Sequence, residues 1–115
     1  MTTGGTRFPA LVQYQHDDEL GFVASKADWA RMCAADEFNA SLQPGDRLID
    51  SAGQVYRLLP GKGGPRMDAC AQALTLNEVL VLVRNHASVQ GNCCVAKLGA
   101  RSIDEAIHLV AYLTD

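Results

Sequence analysis

Four cysteines and three histidines are the side chains of this chain with the widest chemical range. His86, Cys93 and Cys94 lie close together in sequence, and Cys70 or Cys33 could join them across a fold. A structural zinc ion takes about four nitrogen or sulfur ligands at tetrahedral positions. The CxxC spacing that commonly supplies two of them is missing, and adjacent cysteines on a strand point to opposite faces. The same residues could instead pair a thiol with an imidazole, with His86 near a helix end and Cys93 just beyond it. An orienting third group could come from Asp68 or Asn85, although no spacing demands it. The plainer alternatives are a buried thiol packed as a small hydrophobe and a histidine favoured by the negative end of a helix. Cys70, His86, Cys93 and Cys94 are therefore candidate thiol or metal residues, while no residue is assigned a catalytic role and no metal or cofactor is assigned.

A second group is basic. Arg57, Lys62 and Arg66 flank or lie within Pro60-Gly61-Lys62-Gly63-Gly64-Pro65, a loop by composition. The GKS or GKT ending of a phosphate-binding P-loop is absent, and no helix follows at once. Cations beside a glycine loop can still hold an anion, so these three are candidate ligand-binding residues. Asp17-Asp18-Glu19 reads as a solvated turn, because a calcium loop spreads its ligands over more positions. Asp46 and Asp50 flank a strand and are expected on its outer, solvated face. Trp29, the sole tryptophan, is expected to anchor the core.

These residues need elements to position them. Gly45 to Leu58, GDRLIDSAGQVYRL, predicts a β-hairpin: strands over 47–50 and 54–58, with Gly53 supplying the positive φ of the turn. Upstream, FPALVQYQ and LGFVA predict two strands paired as a hairpin. Ser25 then caps a helix whose buried face carries Trp29, Met32 and Cys33. Downstream, alternation in Met67 to Leu74 favours a strand, whereas its alanine content favours a helix; a strand is preferred. Thr75 to Glu78 and Ser102 to Glu105 are capping boxes opening two helices. The first carries Leu76, Val79, Leu80, Val83 and Ala87 inward, with Val81 and Leu82 widening its apolar surface, and stops at Gly91. The second carries Ile103, Ala106, Ile107, Val110 and Ala111. Cys93 to Leu98 predicts a strand between them. The order is ββα, ββ with a third strand, then αβα: an α+β domain, mainly an antiparallel sheet with helices packed on one face. A βαβ crossover around the long helix is a further option.

The 115 residues make one domain, 1–115, with residues 1–6 expected to be disordered. Hydrophobic residues at 48% and charged residues at 20% describe a globular chain. The net charge of −3 argues against a nucleic-acid partner. That charge is uneven: residues 1–40 carry −3, 41–101 carry +3 and 102–115 carry −3. No apolar run approaches the ~20 residues of a membrane helix, and the first residues lack a secretory pattern. No membrane partner is expected; the setting expected is the cytoplasm, with reduced thiols.

FPALVQYQHDDELGFVAS, the following Trp29, GDRLIDSAGQVYRL and NHASVQGNCCVAKL together resemble a family of small proteins from Gram-negative bacteria known as a domain of unknown function. The resemblance implies a bacterial cytoplasmic protein and carries over no catalytic or ligand residue. The function expected is a non-catalytic protein-interaction or regulatory module, with an unidentified protein partner or a homodimer through a hairpin edge or the long helix. The alternatives are an anion or small-molecule site at Arg57, Lys62 and Arg66, and the thiol or metal site above.

Overall fold

The computed structural model describes residues 5–92 and 95–113. Its centre is a five-stranded antiparallel sheet in the order β2-β1-β3-β4-β5. The strands are β1 (Ala10–Gln13), β2 (Leu20–Val23), β3 (Arg47–Asp50), β4 (Gln54–Leu59) and β5 (Arg66–Ala73). Both expected hairpins are present, and they are joined by β1 pairing with β3, Ala10 opposite Asp50 through Gln13 opposite Arg47. The 67–74 segment is indeed a strand, antiparallel to β4. Its partner is its chain neighbour, so among the described residues no βαβ crossover forms.

Strand alternation divides the core in two. Leu11, Ile49 and Val55 point to one face, where they meet α3 (Leu76–Val89) and α4 (Ile103–Leu113). Ala10, Val12, Leu48 and Leu58 point to the other, where they meet Trp29 and Leu42. Trp29 lies on α1 (Lys26–Ala34), which is followed by α2 (Asp36–Ser41). The long helices thus share one face, as the α+β pattern implies, and the short pair covers the reverse. Burying each large aliphatic side chain contributes about 1.5–3 kcal/mol. β1 and β3, buried on both sides, carry most of that load in the sheet.

Helix ends follow the sequence signals. Ser25 Oγ accepts the Asp28 N–H at 3.2 Å, and Thr75 and Glu78 form a complete capping box. At Ser102 the box is altered. Its hydroxyl accepts the Glu105 N–H, but the Glu105 carboxylate reaches the Arg101 N–H instead of closing on Ser102. Gly91 has φ 80° just past the α3 cap. Val81 is half exposed, so α3 buries one side only, contrary to the wider apolar face expected.

Two expectations change. In the described part of the expected 93–98 strand, Val95–Lys97 is one 3-10 turn instead; Cys93 and Cys94 lie outside the described residues. Arg84 explains the turn, since its Nε and NH2 donate to the Leu98 carbonyl at 3.1 and 2.8 Å and tie it to α3. Asp46 and Asp50 are not on a solvated face; they are 3% and 1% exposed. Asp46 accepts the Gln15 and Gln43 N–H groups. Asp50 accepts those of Arg7, Ala52 and Gln54. Each carboxylate replaces water with main-chain donors, which is the condition for burying a charge.

Candidate interaction site at the outer strand and its glycine loop

The connection from β4 to β5 is built from Pro60 to Pro65. Gly64 N–H donates to the Gly61 carbonyl at 3.2 Å, closing a turn. Gly63 sits third in it at φ 79°, as a type II turn requires. Gly64 has φ 129°, and a Cβ there would lie 3.1 Å from the Cys33 carbonyl oxygen. Only glycine lets the loop rest so closely on α1. From α2, Asn39 clamps the loop on both sides of Gly61: its Nδ2 donates to the Gly61 carbonyl at 2.9 Å and its Oδ1 accepts the Gly61 N–H at 3.0 Å.

Between this loop and Cys33 is a cavity of about 420 Å³, lined by Cys33 and residues Gly61 to Arg66. Lys62 and Arg66 therefore meet at one site. Arg57 does not line it. It joins through Asp68, whose Oδ2 lies 3.6 Å from Arg57 NH2 and 3.5 Å from Arg66 NH2. Both pairs are exposed and each stabilises the fold by no more than about 1 kcal/mol. One carboxylate against three cations leaves the site positive. Burial raises the Cys33 thiol pKa, which keeps it protonated and a poor nucleophile.

β5 is an edge. Among the described residues its one strand neighbour is β4, and none of its eight residues is buried. The direction of its main chain can be worked out. Leu58 N–H turns towards β3 and donates to Asp46 O. Arg57 and Leu59 therefore face β5, and their register partners Asp68 and Arg66 face back. Beyond the bulge, the Cys70 and Gln72 carbonyls accept from Gln54 Nε2, so they too face β4. Alternation leaves the peptide groups of Ala69 and Ala71 pointing outward.

Of the thiol and imidazole candidates, the described residues include His86 and Cys70. His86 is fully buried on α3, and its Nδ1 accepts the Leu20 N–H from β2 at 2.9 Å. It cross-links helix to sheet instead of favouring the helix end. Burial lowers its pKa, against smaller upward pulls from Glu19 and Asp17. Cys70 is half-buried on β5, its thiol directed to Asp68 O at 3.8 Å. Cys93 and Cys94 lie outside the described residues. Among the described residues no group of three His, Cys, Asp or Glu side chains could hold a metal ion.

Sequence reasoning missed Cys33, Asn39 and Asp68 as parts of the loop site. Asp68 carried a signal: two residues after Arg66 on a strand, it shares a face with it. Asn39 carried none, since its partner lies 22 residues away.

A profile of the DUF4144 family, described as a protein structure with unknown function, matches residues 8–110. The chain belongs to the DUF4144 family. The DUF4144 fold is also similar to an NMR structure of a protein from Shewanella amazonensis, at 29% identity and a TM-score of 0.70, over 95% of this chain and 90% of that one. No curated protein matches the sequence significantly. No helix among the described residues of this DUF4144 chain is long and apolar enough to cross a membrane.

Proposed function

We propose that this DUF4144 domain is a non-catalytic interaction module that takes an extended segment of a partner protein onto the outer side of β5. The observation that supports it is the outward direction of the Ala69 and Ala71 peptide groups on an exposed edge strand. Main-chain groups in that arrangement are a template for strand addition. Arg66 and Asp68 guard the start of β5 with charge, whereas Ala69 to Ala73 carry none. The setting we propose is the bacterial cytoplasm, where Cys33 and Cys70 remain thiols.

The test uses Ala71→Pro. Proline removes one outward N–H and no bond to β4, so the fold should tolerate it. Proteins captured from the native bacterium by the wild type and lost with Ala71→Pro, at an unchanged melting temperature, would support strand addition. Light scattering separates the two occupants: a dimer that Ala71→Pro dissociates makes the partner a second copy. Equal capture by both proteins would sink the proposal.

A further inference from the structure

We propose that the cavity between Cys33 and the Gly61–Arg66 loop is an oxyanion site, holding a carboxylate or phosphate group between Lys62, Arg66 and the loop main chain. This stands apart from strand addition on β5 and survives if that proposal fails.

Three independent observations converge on it. The cavity, about 420 Å³, has room for a small oxyanion and its hydration. Its two cationic side chains exceed the charge that Asp68 offsets, because Asp68 faces Arg57 and Arg66 and not the Lys62 ammonium. Lastly, the loop is held in shape before any ligand arrives. Asn39 bonds both the N–H and the carbonyl of Gly61, Gly64 N–H closes the turn, and Gly64 packs on the Cys33 carbonyl. Gly63 lines the cavity, and its N–H makes no hydrogen bond among the described residues. Turn N–H groups beside fixed cations form the concavities that select anions, and a site formed in advance does not lose affinity to ordering. Arg66 adds a planar fork that can grip two oxygens at once, a geometry carboxylate and phosphate share and chloride lacks.

The experiment is an amide NMR titration of the full chain with sodium phosphate, sodium acetate and sodium chloride at matched ionic strength. Saturable shifts at Lys62, Gly63, Gly64 and Arg66 are expected with phosphate or acetate, not with chloride. The oxyanion that saturates at lower concentration identifies the ligand as a phosphate or a carboxylate compound. Lys62→Ala with Arg66→Ala should weaken binding by about tenfold or more, the scale of one charge-assisted hydrogen bond. Asn39→Ala keeps both cations and loosens the loop, and a several-fold loss is expected. Shifts that chloride reproduces, or that persist in the double variant, would overturn the site. Unchanged affinity in Asn39→Ala would reduce it to two surface cations and overturn it equally. Both variants are read against melting temperature, and the far-lying Arg101→Ala serves as the charge-removal control.

Discussion

His86 Nδ1 accepts the main-chain N–H of Leu20 at 2.9 Å, so a titratable ring on α3 terminates the edge strand β2. The contact requires a neutral ring, since a protonated imidazole has no lone pair to offer.

Stability should follow that requirement. Burial sets the folded pKa of His86 below its ordinary value of about 6.5. The unfolded chain then takes up the proton first as pH falls. The stabilisation is fully present above about pH 6.5 and is lost as pH drops from there towards the lower folded value. Urea unfolding between pH 5 and 8 should show the decline. His86→Leu should be less stable at pH 8 by about 1–3 kcal/mol, because it leaves the Leu20 N–H without this acceptor. It should also flatten the pH dependence in that window; an unchanged slope would clear His86 of the effect.

Asp50 is expected to matter far more than Asp68. Asp50→Ala strips a buried acceptor from the Arg7, Ala52 and Gln54 N–H groups together. The loss should be about 3 kcal/mol or more. Asp68→Ala breaks two exposed ion pairs and should cost under about 1 kcal/mol. Chemical denaturation of both variants side by side decides it.

Gly53 and Gly63 share a positive φ, at 85° and 79°. Their alanine variants should nonetheless diverge. At Gly63 a Cβ meets open space, so only the backbone conformation is penalised, by about 1–2 kcal/mol. At Gly53 it would overlap the Leu74 carbonyl oxygen and come within 2.9 Å of Ile103 Cδ1. Gly53→Ala should therefore be clearly the less stable in thermal melts, with α4 displaced at Ile103.

Cys33 should alkylate slowly. Burial raises its pKa, so at pH 7.5 the thiolate fraction falls below that of a free cysteine. In a Cys70→Ser, Cys93→Ser, Cys94→Ser background, iodoacetamide should react more slowly than with free cysteine. The rate should climb further with rising pH. A rate equal to the free thiol's at pH 7.5 would contradict the burial.

The hairpin at 47–59, strand β5 and the capped helices were legible because each is specified by neighbours in sequence. Gly53 marks the turn, Thr75 and Ser102 mark helix starts, and alternation marks β5. The buried polar residues were not legible. Asp46 and Asp50 sit beside turns and look solvated, yet their donors at Gln15 and Arg7 lie 31 and 43 residues away. His86 had a usable signal, three residues past Val83 on the inner stripe of α3, but position near the helix end outweighed it. The 93–98 stretch has strand-favouring residues; Arg84 instead holds the Leu98 carbonyl and fixes the turn that precedes it. In the loop site, Lys62 and Arg66 were legible as cations beside glycines. The Asn39 clamp required the chain to be folded first.

The seam between β1 and β3 has a kinetic meaning. Each hairpin can close within a few residues, whereas Ala10 meets Asp50 only after the whole α1–α2 segment has been gathered between them. Long-range closures of this sort slow folding, because chain entropy is lost before contacts repay it. Synthesis imposes the same delay, since β1 leaves the ribosome well ahead of the strand that completes its second side. Until β3 follows, the β1–β2 hairpin has an unpaired flank, the side on which Leu11 and Val12 later pair with Ile49 and Leu48. In this DUF4144 chain, substitutions at Leu48 or Ile49 should therefore slow refolding more than equally destabilising ones in α4.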